Sequence, residues 1–115
     1  MSGIYVPVEK KPFDPICVAI DYDETISLNE LAWMRLIKAF QQEGFKVIVV
    51  TYRPPELDPW ELGWLSKGGI SVHFTSGKAK RKFMHDLGVR VDIWIDDMPE
   101  TICLDRDKIK TLPFP

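Results

Sequence analysis

Five polar residues stand where apolar runs end. Asp21 and Asp23 follow Ile16–Ile20, Thr51 follows Phe45–Val50, and Asp96 and Asp97 follow Val91–Ile95. Four carboxylates gathered in one place repel one another, and a hard cation relieves that repulsion. Mg²⁺ suits the set, because it favours carboxylate and carbonyl oxygens and bridges readily to phosphate. A phosphoryl group also needs positive partners, and Lys78, Lys80, Arg81 and Lys82 cluster in one short segment. Taken singly, these residues have blander explanations. Asp21 and Asp23 fit a polar turn, Asp96-Asp97 a helix cap, and the lysines a solvated face. Taken together, they describe metal-assisted phosphate chemistry.

Separate segments can share one site only if the fold brings their ends together. Ile16–Ile20, Phe45–Val50, Ile70–Phe74 and Val91–Ile95 are short apolar runs that read as buried strands. Between them lie helical patterns over about 28–43, 56–67 and 78–87. Ser27 and Glu30 match a capping box for the first helix, and Gly44 suits its stop. Leu28, Leu31, Ala32, Leu36, Ala39 and Phe40 recur at helical spacing as its apolar face. Residues 100–112 read as a helical turn and an edge strand. Alternating strands and helices predict an α/β fold, with a mostly parallel central sheet covered on both faces. In such a sheet the carboxyl ends of the strands lie along one edge, where ligands bind.

The chain has 115 residues, enough for one core and not two. We read residues 1–15, with Pro7, Pro12 and Pro15, as an extended arm, and 16–115 as the catalytic domain. Fifteen basic against seventeen acidic residues exclude a generally basic nucleic-acid coat. Cys17 and Cys103 are too few for a disulfide framework, and their apolar surroundings predict two buried thiols. No run approaches a membrane span, and the first residues lack the apolar stretch of a signal peptide. A cytoplasmic location is expected.

The run Cys17-Val18-Ala19-Ile20-Asp21-Tyr22-Asp23-Glu24-Thr25 resembles the first motif of the haloacid dehalogenase superfamily, hydrophobics followed by DxDxT. Val47–Thr51 is similar to the second motif, a lysine within 78–82 to the third, and Ile93–Asp97 to the fourth. All four come in the family order. The resemblance implies a three-layer Rossmann-like fold and an Mg²⁺-dependent phosphatase. Asp21 would be the nucleophile that forms an aspartyl-phosphate, and Asp23 the general acid and then base. Thr51 would bond a phosphoryl oxygen, and Lys80 would neutralise charge, with Lys78 the second choice and Lys82 the third. Asp21, Asp96, Asp97 and the Asp23 carbonyl would hold the metal. Thr25, Arg53 and Lys78 would contact substrate. Glu24 stands where the family often has glycine, which implies a slightly different loop, and the short segment before residue 28 implies a reduced flap.

Neither the gap from Asp23 to Thr51 nor that from Thr51 to Lys80 has room for the family's cap domain. A capless site is open, which suits a nucleotide, a nucleic-acid end or another macromolecular phosphate, or a second copy of the chain that covers it. Asp23 separates phosphatases from the family's ATPases, which carry Thr there. Leu57, Trp60, Glu61 and Trp64 lie at helical spacing near the expected crevice, either packing on the sheet or forming an aromatic rim. Arg53 is read as a surface ion pair or as a contact to substrate phosphate or an acidic partner. His73 and His85 show no metal spacing. Two other classes stay in view: a non-catalytic phosphate- or partner-binding module, and a receiver-like domain. The latter is disfavoured because the first acids are split as DxD and strand three ends in Phe74-Thr75 without an acid.

Overall fold

The structure is a computed structural model that describes residues 7–57 and 60–109. Four strands, β1 (Cys17–Ile20), β2 (Lys46–Thr51), β3 (Ser71–Phe74) and β4 (Ile93–Ile95), form one sheet in the order β3-β2-β1-β4. Every pairing is parallel. The helices are α1 (Glu30–Gln42), α2 (Gly63–Lys67), α3 (Lys80–Asp86), α4 (Glu100–Cys103) and α5 (Arg106–Ile109). Short 3-10 turns occur at Ile26–Leu28 and Pro55–Leu57.

Successive strand residues point to opposite faces, so each buried strand feeds two cores. Val18, Ile20, Val47 and Val49 pack with Ile37 of α1 and Leu65 of α2. Cys17, Ala19, Ile48 and Val50 pack with Met84 of α3. This is the covered parallel sheet that the apolar runs predict, and it is compatible with a Rossmann-like fold. Neither the β1–β2 nor the β2–β3 crossover holds an inserted domain among the described residues. No described helix is long and apolar enough to cross a membrane.

The chain steps outward from β1 through β2 to β3, then returns to the other side of β1 as β4. The strand order therefore reverses between β1 and β4. In open α/β sheets the ligand crevice lies at that switch point, beyond the carboxyl ends. The turn after β1 and the turn after β4 flank it.

Several boundaries and faces differ from the sequence expectation. Helix α1 starts at Glu30, and its N-cap is Asn29 instead of Ser27. The Asn29 side chain accepts the Ala32 N–H at 3.0 Å, whereas the Ser27 hydroxyl accepts the Glu24 N–H at 2.9 Å. The buried stripe of α1 is Trp33, Ile37 and Phe40, while Leu28, Leu31 and Leu36 are exposed. The helix carries two apolar stripes. The edge-on contact of Phe40 with Phe45, with ring centres 5.5 Å apart, belongs to the one that faces the sheet.

No continuous helix spans 56–67. Among the described residues a 3-10 turn and the five residues of α2 stand in its place. Strand β4 begins at Ile93 instead of Val91, because the Asp92 carboxylate accepts the Cys17 N–H at 2.9 Å at that end of the ladder. Helix α3 starts two residues later than expected, after a turn through Ser76 and Gly77 with positive φ values of 54° and 80°. Residues 100–109 form α4 and α5 and contain no edge strand; residues 110–112 of that expectation lie outside the described residues. Cys17 is buried, but Cys103 is exposed, since α4 is a single turn on the surface. Of the arm, residues 7–15 carry only a turn, closed by Asp14 and Lys11.

Candidate metal and phosphate site

Strand register places the central acids. Ile20 pairs with Ile95, and the next residue, Asp21, donates its N–H to the Ile95 carbonyl at 2.9 Å. Asp96 follows Ile95 directly. The two acids therefore leave neighbouring strands at the switch point. Among the described residues, Asp21, Asp96 and Asp97 each offer a carboxylate oxygen, and these oxygens all lie within 4.8 Å of one another.

Lys80 enters from the first turn of α3 and is almost fully buried. Its Nζ donates to Asp21 Oδ1 at 2.9 Å and to Asp96 Oδ2 at 2.6 Å. Buried charges need partners of opposite sign, and these three groups supply one another. Burial, helped by Asp96 and Asp97 and opposed by Lys80, pushes the Asp21 carboxyl up to about 7. The remaining strain is that of an excess of negative charge in a partly dry place.

The turn that delivers Lys80 is fixed on several sides. Gly77 donates its N–H to the Tyr52 carbonyl at 2.9 Å and accepts the Arg106 N–H at 2.8 Å. A Cβ on Gly77 would meet the Arg106 side chain at 3.3 Å. Asp105 Oδ1 accepts the Ala79 N–H at 2.7 Å and so caps α3. Lys80 Nζ also lies 5.6 Å from the centre of the Tyr52 ring. Lys78 is exposed, and its carbonyl accepts the Thr75 hydroxyl. Lys82 is exposed and pairs with Asp86 at 2.7 Å.

Asp96 does two things at once. Its Oδ1 accepts the Met98 N–H at 2.9 Å, which is the turn role that the bland reading gives it. Its Oδ2 holds Lys80 and also accepts the Thr101 hydroxyl at 3.1 Å. Asp97 is exposed on the open side of the cluster.

Asp23 is not among these grouped acids. Arg53 grips it with two parallel bonds, Nε to Oδ2 at 2.9 Å and Nη2 to Oδ1 at 2.6 Å. Arg53 Nη1 donates to Glu61 Oε2 at 3.0 Å. The acidic partners of Arg53 thus belong to this chain. Thr51 is fully buried at the end of β2, where its hydroxyl oxygen accepts the Arg53 N–H at 3.2 Å. Thr25 is buried within the turn after β1 and donates its N–H to the Tyr22 carbonyl.

That turn is short and tied down at several points. Tyr22 is buried between the two acids, and its hydroxyl donates to Glu30 Oε2 at 2.9 Å. Trp64 Nε1 donates to the same oxygen at 2.9 Å. Trp64 therefore packs inward, while Trp60 stands 87% exposed beside Glu61. Glu24 sits at φ 59°, in the left-handed region that glycine occupies without strain. The backbone at Glu24 thus takes a glycine-like form despite its side chain.

Sequence reading missed Glu30, Thr101, Asp105 and Tyr52 as supports of the site. Asp105 and Tyr52 act on residues distant in the chain, Glu30 joins Tyr22 to the remote Trp64, and Thr101 acts through a turn five residues long that matches no motif. Comparison with protein-family models, with curated proteins and with solved structures returned no match for this chain.

Proposed function

We propose that this protein is an Mg²⁺-dependent phosphomonoester hydrolase of the haloacid dehalogenase type, working through an aspartyl-phosphate. One observation carries the reading. Three carboxylates from the ends of β1 and β4 offer oxygens within 4.8 Å of one another, at the strand switch point. The four-motif resemblance adds to it, as does a buried lysine bonded to two of those acids.

The donor set fits a hard divalent cation. It consists of carboxylate oxygens alone, with one exposed member, Asp97, on the open side, and such sites suit a metal that retains waters. Asp21, Asp96 and Asp97 would hold it, together with the Asp23 carbonyl. When bound, Mg²⁺ would draw charge from the phosphoryl oxygens.

The chain's own residues then act in order. A carboxylate oxygen of Asp21 attacks phosphorus, and the bond to the leaving oxygen breaks. Asp23, turned away from Arg53, gives that oxygen its proton. In the second half Asp23 takes a proton from water, the water oxygen bonds to phosphorus, and the bond to Asp21 breaks. Lys80 keeps Asp21 oriented and offsets negative charge throughout. Thr51 stands at the neighbouring strand end to meet a phosphoryl oxygen. No cap limits substrate size, and the exposed Trp60 offers a face on which a nucleobase can stack. Nucleotides or nucleic-acid ends are the substrates this mouth suits.

The test is hydrolysis of an aryl phosphate by wild type and Asp21→Asn, with Mg²⁺ and with EDTA. Activity is expected only for wild type with Mg²⁺. Metal-independent turnover, or an unaffected Asp21→Asn, would overturn the mechanism. No turnover of any phosphomonoester would favour a binding module on the same fold.

A further inference from the structure

Asp23 is the acid–base group of the proposed reaction, yet both of its carboxylate oxygens are taken by Arg53. While that grip holds, both oxygens are engaged by the guanidinium. The pair must open before Asp23 can serve, and an anion that takes its place on the guanidinium opens it. We propose that Arg53 is a substrate-operated clamp, and that the preferred substrates are phosphomonoesters whose leaving group carries a second phosphate. This rests on the hydrolase reading and deepens it.

The surroundings of Arg53 support an exchange of partners. Its backbone is fixed two residues past the end of β2, with its N–H on the Thr51 hydroxyl. Its guanidinium carbon lies 5.1 Å from the centre of the Tyr22 ring, so the head is steered as well. The charged ends are reachable from outside: the side chains of Arg53, Asp23 and Glu61 are 24%, 47% and 56% exposed. The pair is partly open to solvent, so an incoming phosphate can compete for the same face of the guanidinium. A guanidinium is also shaped to hold a phosphate by two bonds at once.

The charges point the same way. One guanidinium is shared between two carboxylates, Asp23 and Glu61. A second phosphate that takes the face now held by Asp23 releases that acid beside the scissile group, while Glu61 retains the other side of Arg53. A simple monoester brings no such anion and must wait for the pair to open unaided. Arg53 thereby couples recognition of the leaving group to the freeing of the acid that protonates it.

A matched pair of probes tests this: thymidine 5′-monophosphate and thymidine 3′,5′-bisphosphate, which differ by one phosphate. For wild type, kcat/KM for the bisphosphate should exceed that for the monophosphate by about tenfold or more, the range expected of one charge-assisted contact. In Arg53→Gln the preference should collapse to within about twofold, while kcat on the monophosphate rises because Asp23 is no longer held. Arg53→Lys should retain part of the preference, as a point charge without the fork. A preference that survives in Arg53→Gln, or an equal loss on both substrates, would overturn the clamp. Equilibrium titration of Asp21→Asn with both probes separates the two readings. Tighter binding of the bisphosphate that depends on Arg53, without turnover by wild type, upholds the clamp and removes the hydrolase. Turnover with equal, Arg53-independent binding does the reverse.

Discussion

Lys80 buries its ammonium 2.9 Å from the carboxylate of Asp21, a residue 59 positions earlier in the chain. The same ammonium bonds Asp96 at 2.6 Å, so one cation serves two buried acids. Removing it leaves both acids facing each other without a counter-charge. Lys80→Met should lower the unfolding free energy by about 3 kcal/mol, the cost of breaking a buried pair from one side. Urea unfolding checks this, and a loss below about 0.5 kcal/mol, typical of an exposed pair, would show that the ammonium does not sit there.

The raised Asp21 pKa makes stability depend on pH. Burial holds the folded carboxyl up at about 7, above its ordinary value of 3.8, so the folded state binds more protons between those values. Its contribution is therefore full below the unfolded pKa and is lost as pH rises through about 7. A divalent cation competes with that proton and should offset the loss. The gain in Tm on adding Mg²⁺ should accordingly be small near pH 5 and larger near pH 8. A gain that is constant across this range would contradict the arrangement.

The layout of acids and strands was open to sequence reading because both follow short, local patterns. Apolar runs mark strands buried on two faces, and the polar residue after each run marks its end. Parallel order then brings Asp21 and Asp96 to one edge without further information. The supports were hidden for the opposite reason. Asp105 caps α3 through a backbone N–H of Ala79, and Glu30 joins Tyr22 to Trp64, so each depends on chain folding over long separations. The face of α1 was ambiguous because its outward leucines repeat as regularly as Trp33, Ile37 and Phe40, and only the sheet decides between them. The pairing of Arg53 with Asp23 spans 30 positions and has no signature beyond two opposite charges.

Glu30 is the post on which the turn after β1 leans. Its Oε2 accepts both the Tyr22 hydroxyl and the Trp64 indole N–H, each at 2.9 Å. Burial and the Glu30 bond both hold the Tyr22 hydroxyl protonated. Glu30→Ala removes the acceptor for two donors at once and should lower stability by about 2 kcal/mol. Because Tyr22 lies between Asp21 and Asp23, kcat should fall as well. Glu30→Gln keeps a carbonyl acceptor and should restore much of both. Equal behaviour of the two variants would mean that the charge matters and the acceptor does not.

Glu24 offers a test in the other direction, a substitution that should help. Its φ of 59° places a residue with a Cβ in the left-handed region. That conformation costs an ordinary L-residue about 1–2 kcal/mol, and glycine gives back about 0.5–1 kcal/mol through its freer unfolded chain. Glu24→Gly should therefore stabilise the protein by several tenths of a kcal/mol. The bond to the Ser27 hydroxyl uses only the backbone N–H of residue 24 and survives the change. Activity should hold, since the side chain is exposed and the turn keeps its shape. A fall in Tm for Glu24→Gly, combined with a rise for Glu24→Ala, would show that the turn does not adopt the left-handed form in solution.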